Sequence, residues 1–160
     1  MLSLVTARAR KEAGREDATG GREEDVYLTM LRTVERLSRG VAETLAGADL
    51  TPTQYNALRI LRGAGDAGAS CTEVSERMVT KDSDVTRLLD RLEARGLILR
   101  GREAADRRRV VARITEEGLR VLAALDGPVA ETHRRQLGHM GEKRLATLDK
   151  LLTAALNGRS

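Results

Sequence analysis

A mainly α-helical chain with one small β-hairpin is what this sequence predicts, and three observations carry that reading. Leu occurs 23 times while Phe and Trp are absent and Tyr27 and Tyr55 are the only aromatics, so an aliphatic interior of the kind helices supply must do the packing. Apolar residues recur at spacings of three and four in several segments, each bounded by capping residues. Two short strand candidates, residues 97–100 and 110–114, interrupt the helical pattern, and they lie close enough to pair. At 160 residues the chain makes one domain or two small lobes.

In chain order, residues 1–22 have little to bury, and counted through Glu24 the segment holds five cations against five acids, which reads as a mobile N-terminal arm. From residue 24 to 46 the apolar positions Tyr27, Met30, Leu31, Val34, Leu37, Val41 and Leu45 trace one helical face, and Gly47 ends it. Thr51 followed by Pro52 is an N-cap with proline at the first helical position, opening a helix through Tyr55, Leu58 and Leu61 to Gly63. Ser70-Cys71-Thr72-Glu73 is a capping box that starts a short helix reaching Met78. After a break at residues 79–81, Val85, Leu88, Leu89 and Leu92 form the stripe of a longer helix that stops at Gly96. Asp82 is the expected N-cap of that helix.

Two such helices joined by a short turn have the helix-turn-helix form, shared with helical hairpins generally. The two strands and polar loop that follow add a wing, which makes the lobe a winged helix. Thr115 caps the next helix, with Glu116 and Glu117 in its positive first turn and Leu119, Leu122 and Leu125 on its buried side. Gly127-Pro128 is expected to kink or restart it. A last amphipathic segment carries Leu145, Leu148, Leu151, Leu152, Ala155 and Leu156. The domain reading is therefore an arm over 1–22, dimerisation helices over 23–48 and 127–160, and a winged helix-turn-helix lobe over 49–126.

Charge narrows the partners. The net charge is +4 with a pI near 9.7, and Arg supplies most of the 28 cations, a composition suited to phosphate and guanine edges. A single cysteine, Cys71, excludes an intramolecular disulfide framework and a Cys-based zinc site. The N-terminal residues lack the apolar length of a secretory signal, and no run is long enough to span a membrane, so a cytoplasmic protein is expected.

In its motifs the chain resembles the MarR family of bacterial transcriptional regulators over roughly residues 25–156. The residues that carry the resemblance are Leu50-Thr-Pro-Thr-Gln-Tyr55, Val85-Thr86-Arg87-Leu88-Leu89-Asp90-Arg91-Leu92-Glu93, Gly96-Leu97-Ile98, Asp106-Arg107-Arg108 and Ile114-Thr115-Glu116-Glu117-Gly118. The resemblance implies a homodimer built by the first and last helices, Val34, Leu37, Leu145, Leu148 and Leu152 among them. It also implies double-stranded DNA as partner, an inverted-repeat operator, repression, and control by a small-molecule effector whose identity and pocket no motif fixes. Its wing enters the minor groove, which makes Arg108 the inserted cation and Asp106 its orienting partner.

Residue chemistry runs parallel. Residues 100–109 hold Arg100, Arg102, Arg107, Arg108 and Arg109 against Glu103 and Asp106, a net positive hairpin tip suited to phosphates or a narrow groove. Residues 73–99 hold slightly more acids than cations, so the reading helix cannot bind by bulk charge. Ser83, Asp84, Thr86 and Arg87 lie at its start off the Leu stripe, placed for base edges or phosphates. Asp84 either accepts from a cytosine amino group or holds Arg87, three residues on. Cys71 is a small residue at a first helical position, and no second thiol is present to resolve an oxidised one.

No Gly-rich phosphate loop, zinc-protease motif or nucleophile constellation is present, and His133 and His139 are spaced poorly for one helical face. Neither an enzyme, a cofactor nor a metal is expected. The alternative to a DNA-binding regulator is a helical dimeric interaction or architectural protein without sequence-selective DNA binding.

Overall fold

The computed structural model describes residues 21–79, 84–102 and 109–158. Among them the order is α1 (Arg22–Ala46), α2 (Pro52–Ala64), α3 (Cys71–Arg77), α4 (Val85–Ala94), β1 (Ile98–Arg102), β2 (Val110–Ile114), α5 (Glu116–Leu137) and α6 (Glu142–Asn157). The expected arm lies almost wholly outside the described residues. A boundary between two compact units falls within α1, between Arg36 and Leu37. Before it, Val26, Tyr27, Leu31 and Val34 are exposed, and nothing up to Arg36 is buried.

The unit from Leu37 onward holds the core. Leu58 and Leu61 of α2, Val74 of α3, Leu89 and Leu92 of α4, Ile98 of β1 and Leu122 of α5 are essentially inaccessible to water. Each lies on the apolar stripe that its spacing set, so the lobe closes by burying one face of every helix. The capping signals work as expected and in one case more fully. The Thr51 amide donates to Gln54 Oε1 at 2.9 Å while the Gln54 amide donates back to Thr51 Oγ1 at 3.2 Å, a reciprocal box.

β1 and β2 pair antiparallel, with Ile98 opposite Ile114 and Arg102 opposite Val110. Ala69 extends this sheet by exchanging backbone bonds with Ala112, at 2.9 and 2.8 Å. That approach requires Gly68, whose φ is +69° and where a Cβ would stand 2.6 Å from the Ala112 carbonyl oxygen.

Two sequence expectations need correction. Of the kink or restart expected at Gly127-Pro128, the restart does not occur: α5 runs as one helix through Pro128 to Leu137. Proline costs a helix one bond and a ring clash, but Leu125 and Val129 are buried on either side of it and hold the helical path. The cap of α4 is Asp84, two residues after the expected Asp82, which lies outside the described residues.

Beyond Pro128, α5 meets the second half of α1. Thr132 Oγ1 lies 2.8 Å from Thr44 Oγ1, and Gln136 Nε2 donates to the Leu37 carbonyl at 3.0 Å. Nearer its start, Asp126 takes a two-armed bond from Arg62 of α2 at 2.8 and 3.0 Å. α5 thus joins the lobe to the Leu37–Ala46 part of α1. α6 buries none of its residues: Leu145 and Leu148 are half-buried, and Leu151, Leu152 and Leu156 are exposed.

Candidate nucleic-acid interface

α3 and α4 form the helix-turn-helix. Ser70 caps α3: its hydroxyl accepts from the Glu73 amide at 3.3 Å, and its own amide donates to Glu73 Oε2 at 2.7 Å. Cys71 is therefore the first helical residue, as expected, and is half-buried with Sγ 3.5 Å from Thr86 Oγ1. Cys71, Thr72, Ser75, Asp84 and Thr86 line an open recess of about 310 Å³ between the two helices.

α4 turns Val85, Leu88, Leu89 and Leu92 into the core and leaves Thr86, Arg87, Asp90 and Arg91 on the opposite face. Asp84 spends one carboxylate oxygen on the Arg87 amide, at 3.1 Å, and the other on Arg87 Nε, at 3.0 Å. Of the two roles weighed for Asp84, holding Arg87 is the one the free protein displays. The Arg87 side chain remains 76% exposed, so its outer nitrogens still face solvent.

The hairpin cations divide. Arg102 is exposed at the end of β1. Arg109, half-buried before β2, pairs with Glu73 of α3. Arg100 does not join the tip. Its side chain is 27% exposed and forks onto two carboxylates of α4, with Nε donating to Glu93 Oε2 at 2.8 Å and a terminal nitrogen reaching both Glu93 and Asp90. The Arg100 amide adds a bond to Glu93 Oε1 at 2.9 Å. Ser83, Asp106, Arg107 and Arg108 lie outside the described residues.

These pairings set the local acidities. The Ser70 amide and hydroxyl, with Arg109 beside them, hold the Glu73 carboxyl down at about 2. Side-chain and backbone bonds from Arg100 lower that of Glu93, and Glu93 with Asp90 raises the Arg100 guanidinium in turn. Sequence reasoning missed Asp90, Glu93 and the second role of Glu73. The capping box was a local signal, but the partners of these acids, Arg100 in β1 and Arg109 just before β2, are brought near only by folding.

A second hollow, about 640 Å³, opens where α1, α2 and the end of α4 meet, with Ala42, Ala46, Leu50, Pro52, Arg91 and Arg95 on its walls. Arg95 there donates to the carbonyls of Ala48, at 3.0 Å, and Asp49. Among the described residues no cluster of His, Cys, Asp or Glu fits a metal, and no helix is long and apolar enough to cross a membrane.

A MarR-family model matches residues 48–109. The repressor MdtR of Bacillus subtilis is 33% identical over 94 residues, a stretch that covers 59% of this chain and 59% of that protein. A MarR transcription factor from Planctomyces limnophilus is 36% identical, with a TM-score of 0.65 over 84% of this chain and 97% of that one. At 22% identity, Bordetella bronchiseptica BpsR shares the fold with a TM-score of 0.75 over 89% of this chain and 100% of its own; its structure concerns regulation of DNA binding by 6-hydroxynicotinic acid.

Proposed function

Because the chain belongs to the MarR family of winged helix-turn-helix transcriptional regulators, we propose that it is a homodimeric, effector-controlled repressor of an inverted-repeat operator. The observation that carries the DNA-reading part is the division of α4. Its Leu face is sealed in the core, and its opposite face presents Thr86 and an Arg87 held in place by Asp84. A helix anchored in this way reaches a major groove with side chains suited to guanine or phosphate. Arg102, together with Arg107 and Arg108 of the expected wing and Asp106 as orienting partner, follows the backbone and adjacent minor groove, while Arg109, also expected there, is engaged by Glu73.

Self-association is supported by α6, an amphipathic helix with no fully buried residue among the described residues. Such a helix is marginal in water until its apolar face is covered. Val34, Leu37, Leu145, Leu148 and Leu152 supply that face on the two helices assigned to the dimer. Effector control is supported by the 640 Å³ hollow, whose walls include Arg91 of the reading helix and Arg95 just after it. A compound held there touches the same helix that meets the operator, and BpsR offers the precedent of a small acid acting on DNA binding. The expected domain limits, with the lobe at 49–126, stand as part of this proposal, and the chemistry is binding without catalysis.

Selection of bound duplexes from a random pool, followed by gel shifts from 50 to 200 mM salt, tests the proposal. An enriched inverted repeat with half-sites about one helical turn apart supports it. Equal retention of all duplexes, fading uniformly with salt, would leave an architectural protein instead.

A further inference from the structure

We infer that Arg100 is a positioning residue which locks the hairpin onto the reading helix, so that both are presented to DNA as one rigid piece. The inference rests on the DNA-binding reading and assigns Arg100 a task other than touching DNA. Arg100 sits mid-strand on β1, opposite Ala112, and its guanidinium is turned back on α4. It makes three bonds to Glu93 alone, two from the side chain and one from the backbone amide, and reaches Asp90 as well. A planar fork bound at two edges fixes an angle as well as a distance. At 27% exposure it contrasts with Arg87 at 76%, whose outer nitrogens are open to a phosphate.

The other strand is tied independently. Arg109 precedes β2 and pairs with Glu73, the same carboxylate that closes the cap of α3. Each edge of the hairpin is thus bound to a different helix of the helix-turn-helix. A lobe held at both edges cannot let the wing and α4 find their grooves separately. Its operator must offer the core and the flank at one fixed offset, so the tether acts on specificity. Asp90 and Glu93 also gain a role, because acids on a DNA-facing helix repel phosphate, and holding Arg100 offsets that cost.

That double role yields a test in which the two accounts differ in sign. If Arg100 met phosphate directly, neutralising Asp90 or Glu93 would remove repulsion and tighten binding everywhere. If Arg100 positions the hairpin, Glu93→Gln and Asp90→Asn each weaken binding to the selected operator, Glu93→Gln by about tenfold. The pair Arg100→Gln and Glu93→Gln is then no worse together than either alone. Arg100→Lys, which keeps the charge and loses the fork, stays weak. Tighter binding by either acid variant, or full rescue by lysine, overturns the inference. Asp90→Asn leaves every Glu93 bond intact and serves if Glu93→Gln lowers the melting temperature.

Amide exchange on the DNA-free protein gives a second arm. Arg100→Gln should speed exchange across β1 and β2 but not in α2, and an unchanged hairpin would also overturn the tether. Should the parent protein select no DNA sequence, the regulator reading fails by itself and the exchange arm still decides the tether.

Discussion

At Gly118 the lobe leaves no room for a side chain. A Cβ there would stand 2.3 Å from the Leu97 carbonyl oxygen and 2.7 Å from Ile114 Cγ1, at the point where α5 leaves the sheet. Gly118→Ala should therefore destabilise the lobe by about 1–3 kcal/mol, read as a lower denaturant midpoint at unchanged slope. Asp84 is constrained differently, since it both caps α4 and restrains Arg87. Asp84→Asn keeps an acceptor for the cap while freeing the guanidinium. Unrelated DNA should then be bound more tightly with little change at the operator, and an unaltered specificity ratio in paired titrations would remove Asp84 from the contact surface. The Asp82 expectation erred here because either Asp suits an N-cap chemically. The choice between them was made by where Val85 and Leu88 had to point, which is a tertiary matter.

Among the elements, α3 and the hairpin share one carboxylate, and its titration links them. Glu73 has a folded value near 2 against an ordinary 4.5, so its stabilising contribution is complete above about 4.5 and is lost as pH falls through about 2. Acid unfolding followed by helical ellipticity should lose part of its pH dependence in that window on Glu73→Gln, because the amide has no charge to lose. A variant profile that superimposes on the parent would show that the cap and the Arg109 pair are not linked to stability. This element scale is also where sequence reading succeeded most. Thr51, Ser70 and Thr115 marked helix starts correctly, since a cap is made by residues three apart. At Pro128 the expected restart did not occur, because a local backbone cost was outweighed by burial of Leu125 and Val129. Arg100 was grouped with the wing tip because its partners Asp90 and Glu93 lie on another element, and charge counting along the chain cannot see a turn back.

For the whole molecule the unpartnered faces dominate. α6 carries Leu151, Leu152 and Leu156 exposed, and α1 before Leu37 exposes Val26, Tyr27, Leu31 and Val34. Their periodicity was legible from sequence, but what covers them was not, because a stripe has the same pattern whether its partner is in the same chain or another. Replacing Leu148 and Leu152 together by Glu should give monomeric or unfolded protein in sedimentation, and a stable native dimer would reassign the interface. Of the candidate DNA contacts, Thr86, Arg87 and Arg102 face outward while Arg109 is engaged by Glu73.

The central claim is that two such lobes read one operator together, and the composition of the protein–DNA complex tests it most directly. Native mass measurement on the duplex recovered by selection should show two chains per inverted repeat, with no stable complex on a single half-site at the same concentration. One chain bound per duplex, or equal occupancy of the half-site and the full repeat, would contradict the account.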